Sequence, residues 1–307
     1  MSAWTESWIC LLGCSIGCGS VAAPSAIDAQ PDAPPGSTSV CDPTSAFDSP
    51  RLLDGFSDAN RLELSVTLSP DELNIYASID RGAAAADWDL VSAQRTDTAS
   101  TFGVQTVMTA ANSLANDEGG ALSPDGLVLA FVSNRVSGEG KHIYVSTRSS
   151  TLGSFGTPSL LAGINSANVA DSDNTPFFTL DGSELWFTST RAGGFDIHRA
   201  GHVGTGFGNP MLVPELNSTS TELGPVLTAD KLTVYFSSNR DGSGYYNIYA
   251  SHRMNVADAF PLPTLVIEIN SSVNDFPDWI SADNCRLYFR SDRSGRGDVY
   301  VAVRHPT

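Results

Sequence analysis

Five carboxylates, Glu63, Asp117, Asp173, Glu222 and Asp275, each stand eight positions ahead of a second series of acids, Asp71, Asp125, Asp181, Asp230 and Asp283. A ring of such groups suits three chemistries. It can hold a cation, it can bind a basic ligand, or two members can serve as acid and base in glycoside cleavage. The last use requires two carboxyls with unlike pKa values. The same spacing also has a structural use. Ten residues beyond each second acid stands an arginine: Arg81, Arg135, Arg191, Arg240 and Arg293. If a hairpin at the second acid pairs offset −1 with +2, then −8 lies opposite +9, beside that arginine. Five acid–arginine pairs are therefore expected, each arginine holding its carboxylate ionised. A residue that recurs in every repeat serves the repeat, whereas a specific site is built from residues that differ.

Few residues differ in a way that suggests chemistry. The third unit has an oxygen-rich insertion, Ala170-Asp171-Ser172-Asp173-Asn174, in which Asp171 and Asp173 are candidate calcium ligands without a full ligand series. Trp88, Tyr245 and Tyr246 fall on one edge and offer either a sugar or peptide platform or packing between neighbouring units. Gly13-Cys14-Ser15-Ile16-Gly17 fits the nucleophile pattern G-x-S-x-G, but no strand–helix elbow surrounds it. The five histidines show no paired metal spacing. Asn217-Ser218-Thr219 and Asn270-Ser271-Ser272 have the form of glycosylation sequons, and a turn role explains them better. No catalytic residue and no cofactor emerge, calcium excepted.

The elements that must position these residues are short strands. The second acids lie 49 to 56 residues apart, a period typical of propeller blades. Two residues before each stands a hydroxyl (Ser69, Ser123, Thr179, Thr228, Ser281), which with the acid caps a tight turn. Alternating strands follow, such as Leu232-Thr233-Val234-Tyr235-Phe236. A third strand opens near Asp89, His142, Asp196, Asn247 and Asp298, and Arg95, Arg148, His202, Arg253 and Arg304 close it. A fourth segment begins at Phe47, Phe102, Phe155, Phe207 and Phe260. Four strands repeated five times describe an all-β fold, a five-bladed β-propeller.

Ser123-Pro124-Asp125-Gly126 followed by Phe131-Val132-Ser133-Asn134-Arg135 resembles the WD40-like repeat of TolB-type propellers. The resemblance covers roughly residues 47 to 304 and departs at Ala77, which replaces the strand phenylalanine. TolB propellers have six blades, so six is the alternative count. The resemblance implies a non-enzymatic binding or scaffold module whose partner is an envelope protein or a cell-wall component. Some five-bladed propellers are glycoside hydrolases, which is the second reading; a calcium-stabilised structural module is the third.

The net charge of −17 argues against nucleic acid or anionic lipid as a partner. Residues 1–18 form a short apolar leader in which Leu11-Leu12-Gly13-Cys14 looks like a bacterial lipobox, making Cys14 a lipidation site. Glu6 stands where a positive n-region is expected, so plain secretion is the alternative. Residues 19–46 are rich in Pro, Ala, Ser and Asp and read as a disordered tether, and residues 47–307 as the propeller. The expected setting is a monomer in the bacterial periplasm or on the outer membrane, touching the membrane only through its lipid.

Phe47–Leu53 has no blade before it, and the last unit ends at Arg304 with three strands. The chain start is therefore expected to complete the last blade. Cys285 opens the second strand of that blade and Cys41 lies six residues before the closing strand. Those strands run parallel, about 10 Å apart, so a Cys41–Cys285 disulfide is expected, as suits an oxidising compartment.

Overall fold

The computed structural model describes residues 40–57, 61–82 and 87–306. The leader with Cys14 and residues 19–39 of the tether lie outside them. The fold is a five-bladed β-propeller, and the six-bladed alternative is excluded. Blade 1 comprises Glu63–Leu68, Asn74–Asp80, Trp88–Gln94 and Thr106–Val107, from the channel outward. Blade 2 comprises Asp117–Leu122, Val128–Ser133, His142–Thr147 and Ser159–Leu160. Blade 3 has Asp173–Phe178, Glu184–Ser189, Asp196–Val203 and Met211–Leu212, with a side ribbon at Gly206–Phe207. Blade 4 has Glu222–Leu227, Thr233–Ser238, Asn247–His252 and Thr264–Leu265. Blade 5 takes Asp275–Ile280, Arg286–Ser291 and Asp298–Val303 from the chain end and Arg51–Leu52 from its start. Each innermost strand touches the next around the full circle, blade 5 meeting blade 1.

The core lies in the seams. Each hydrophobic cluster joins adjacent blades, as Val66 and Leu68 of blade 1 do with Trp279 and Tyr288 of blade 5. A second strand covered on both faces is buried along its length, as in Thr233–Ser238.

The repeated turn forms as its residues require. Thr228 Oγ1 donates to Asp230 Oδ1 at 2.6 Å, Asp230 Oδ1 accepts Leu232 N–H at 2.9 Å, and Thr228 Oγ1 accepts Thr233 N–H at 3.0 Å. The residue after the acid is left-handed in every blade: Glu72 (φ 60°), Gly126 (71°), Gly182 (66°), Lys231 (58°) and Asn284 (60°). Glycine and asparagine accept that conformation readily; glutamate and lysine do not.

The outermost strands are shorter than the sequence suggests. In blade 5 only Arg51–Leu52 pairs, with Val301 and Tyr300, and Phe47 anchors the loop ahead of it. The Arg304 guanidinium lies 3.8 Å over the Phe47 ring, as Arg95 lies over Phe102 (4.6 Å), Arg148 over Phe155 (4.4 Å) and Arg253 over Phe260 (4.1 Å). In blade 3 the His202 ring meets Phe207 edge-on. An Asn-Ser segment then closes the sheets of blades 1 to 4, and Ser57 accepts Val299 N–H in blade 5. The Asn217 side chain accepts Ile197 N–H at 2.7 Å and donates to Ile197 O at 3.0 Å, replacing a strand neighbour. Asn270 does the same for Ile248, so neither sequon presents a free amide.

The Cys41–Cys285 disulfide is present. Residues 40–46, which composition assigns to the tether, belong instead to the folded body. Cys41 N–H donates to Asp283 O, and the buried Arg304 donates to Asp42 O and Ser45 O.

Candidate functional site

The inner strands begin at one end of the channel, the entry end, and finish at the Ser/Thr-x-Asp turns of the other. At the entry end the acid–arginine pairs form in four blades: Asp117–Arg135 at 2.6 Å, Asp173–Arg191 at 2.6 Å, Glu222–Arg240 at 3.0 Å and Asp275–Arg293 at 2.9 Å. These carboxylates are fully buried, and each also accepts from the serine four to seven residues upstream. Each arginine in turn donates to a backbone carbonyl and stacks on its own strand phenylalanine, as Arg135 does with Ala111 O and Phe131. Blade 1 differs. Arg81 contacts Asp89 at 3.5 Å and donates to Ala115 O, while buried Glu63 is tied to blade 5 through its N–H to Gly297 O. The repeated acids are thus structural in geometry, set between strand, loop and arginine.

The residues that break the repeat gather at the closure seam. Every inner strand carries a bulge. Blades 2 to 4 place a left-handed residue at it, Gly119, Thr175 or Gly224. In blade 5 proline occupies that position and cannot turn left-handed, so the unpaired residue is Asp278. Its equivalents are Val66, Gly120, Pro176 and Pro225. Asp278 Oδ1 accepts from Ser65 Oγ of blade 1 at 3.2 Å, and Oδ2 is buried without a hydrogen-bond partner. Burial pushes the carboxyl up to about 8 against the opposing pull of Arg290.

Arg290 is the second exception. Its equivalents, Ser78, Val132, Thr188 and Ser237, are small and buried. Its guanidinium lies 4.1 Å over the Phe276 ring, and Nε is buried without a hydrogen-bond partner. Burial lowers its pKa, while the charges of Asp278, Asp292 and Glu118 oppose that shift. Glu118 belongs to blade 2, so Arg290 faces charge arriving across the channel. Sequence reasoning missed both residues because it ranked positions by recurrence; their misfit within their own columns was the available signal.

The residue heading each third strand also differs: Trp88, Lys141, Phe195, Tyr246 and Gly297. The last four pass their carbonyls to the N–H of the next blade's inner acid, which sets them beside the channel entry. Lys141 Nζ holds both oxygens of Glu118, at 2.6 and 2.8 Å. Tyr246 packs on Phe276 of the next blade at 5.2 Å, while Tyr245 is exposed. Phe195 was not singled out in the sequence. Asp173 and Asp171 do not converge on a cation: Asp173 binds Arg191 and Ser166, and Asp171 accepts from Ser166 Oγ and Asn168 Nδ2. Among the described residues no cluster of three or more His, Cys, Asp or Glu is arranged for a metal. The opposite, turn end of the channel is apolar, lined from all five blades by residues such as Leu68, Leu122, Phe178, Leu227 and Ile280.

No family model matches the chain, and no curated protein matches it. Solved structures do match. TolB from Acinetobacter baumannii superposes with a TM-score of 0.52 at 17% identity, covering 80% of this chain and 55% of that one. The chain therefore spans about half the length of that TolB. The catalytic domain of the Coprinopsis cinerea GH62 alpha-L-arabinofuranosidase superposes with a TM-score of 0.51 at 11% identity, covering 84% and 96%. The Podospora anserina alpha-L-arabinofuranosidase PaAbf62A, in complex with cellotriose, gives 0.50 at 11% identity, covering 87% and 99%. At these identities the likeness is one of fold: a five-bladed propeller similar to TolB-type and arabinofuranosidase propellers alike.

Proposed function

We propose that this chain is a non-enzymatic binding module of the bacterial cell envelope, in the periplasm or held to the outer membrane through Cys14. It takes a protein or cell-wall ligand at the entry end of its channel. One observation carries this reading: four of the five repeated carboxylates are buried and saturated by their own arginine and serine. A general acid needs the reverse environment. The variable residues heading the third strands supply instead a recognition surface of the mixed aromatic and polar kind. The TolB-like fold and the acidic, lysine-poor composition are in keeping with an envelope setting and with a monomer that avoids nucleic acid. The test is capture from envelope extract by the full-length protein, with Trp88→Ala/Phe195→Ala as control. Capture that the double variant loses supports the reading; equal capture by both sinks it.

Asp278 favours a second reading. A carboxyl that stays protonated to about pH 8 beside the channel is what a glycoside hydrolase uses as its acid. Its base is harder to supply, because Glu118 carries Lys141 on both oxygens. Hydrolysis of any oligosaccharide in a panel that includes arabinoxylan fragments, lost in Asp278→Asn, would replace the binding reading.

A further inference from the structure

Gly297 is the only small residue among the five that head the third strands. A Cβ built on it would lie 3.0 Å from Glu63 O and 3.3 Å from the Arg290 Cδ. The space that a tryptophan, lysine, phenylalanine or tyrosine fills in the other blades is therefore occupied here by the arginine of the neighbouring strand. The guanidinium carbon lies 4.1 Å from the centroid of the Phe276 ring, which is itself backed by Tyr246. Lys141 is committed to Glu118, and the four blade arginines to their acids. Among the described residues Arg290 forms no ion pair within 4.0 Å. A preorganised fork of this kind recognises a planar carboxylate by two parallel hydrogen bonds.

We propose that Arg290, seated in the Gly297 slot, is the anchor for the carboxylate of an acidic sugar, such as a uronic acid unit of a cell-wall polysaccharide, bound at the channel entry. The flanking residues fit a pyranose better than a peptide. Phe195 and Tyr246 stand beside the channel entry and supply aromatic surface for sugar C–H groups. Asn174 on the blade 3 inner strand offers a partner for a sugar hydroxyl. Of the acids near Arg290, Glu118 is paired with Lys141 and the Asp278 carboxyl stays uncharged up to about pH 8, which leaves Asp292, hydrogen-bonded to Asn274, as the opposing carboxylate. This inference rests on the binding reading above and specifies its ligand.

Calorimetric titration of the full-length protein with a galacturonate trimer tests it, against a neutral galactose trimer and a triglutamate peptide. The acidic sugar is expected to bind at least tenfold tighter than either. Arg290→Gln should lose that margin with the melting temperature checked, and Arg290→Lys should keep only part of it. Affinity at pH 9 should fall below that at pH 7, because ionised Asp278 then repels the ligand; Asp278→Asn should flatten that difference. Equal binding of the neutral trimer, preference for the peptide, no binding of the acid, or full affinity in Arg290→Gln would each overturn the assignment. In those cases capture from envelope extract still judges the broader binding reading independently.

Discussion

Asp278 should give the molecule a pH signature. Burial pushes its carboxyl from the ordinary 3.8 up to about 8, so the fold prefers the neutral form. The unfolded chain releases that proton near pH 4 and the folded chain near pH 8. Between those values the unfolded state binds fewer protons, so stability falls as pH rises; outside the window the slope from this group vanishes, and above it the loss is complete. One proton sets a ceiling of about 1.4 kcal/mol per pH unit. Urea unfolding at pH 5.5 and 7.5 should show the wild type losing more stability than Asp278→Asn over that interval. Parallel slopes for the two proteins would refute the assignment. This residue was illegible in the sequence for a physical reason. Its environment is set by Pro277, which moves the bulge by one position, and by Ser65, which lies 213 residues away along the chain.

At the scale of the element, the repeated turn does more than reverse the chain. Its two ill-suited left-handed residues are the ones whose side chains reach back to the preceding blade. Lys231 donates to Asp181 of blade 3 at 2.6 Å. Against the upward push of burial, that ammonium and the Thr179 hydroxyl hold the Asp181 carboxyl well below its usual range. Glu72 accepts from Arg286 on both oxygens and from Tyr288 at 2.7 Å, across the seam with blade 5. A left-handed conformation costs such residues about 1 kcal/mol. Lys231→Gly should therefore be close to neutral, since relief of strain offsets the loss of a partly exposed pair. Glu72→Gly should destabilise by about 3 kcal/mol, because it leaves Arg286 and Tyr288 without their shared, nearly buried carboxylate. Equal unfolding midpoints for the two variants would contradict this account. The turn itself was readable, because Ser/Thr-x-Asp hydrogen bonds are local. So were the four acid–arginine pairs, whose partners sit 18 residues apart in one hairpin. The partner of Glu72, 214 residues away, was not.

For the whole molecule, closure is the decisive event. Five units, their circular order and the bridge between Cys41 and Cys285 could be inferred because a lone leading strand and a three-stranded final sheet complete each other. The brevity of the outer strands could not. The phenylalanine that marks each of them packs against a basic residue, in a loop in four blades and in the side ribbon of blade 3, and the pairing residues begin only four positions later. The disulfide closes a loop with a sequence separation of 244. On the chain-entropy account it stabilises by about 5 kcal/mol. The Cys41→Ser/Cys285→Ser double variant should lose a stability of that order in urea, while the single acid–arginine pairs of blades 2 to 4 stay formed below the transition. An unchanged midpoint would mean that the backbone pairing alone secures the ring.

The position of that covalent bond also decides where tension goes. Anything that tugs on the chain ahead of Val40 meets Cys41 first, and the sulfur bridge passes the load straight to the middle of the last sheet. The two-residue ribbon at Arg51–Leu52, which would peel easily, is shielded from the pull. A pull on the chain at Val40 would thus leave the ring zipped.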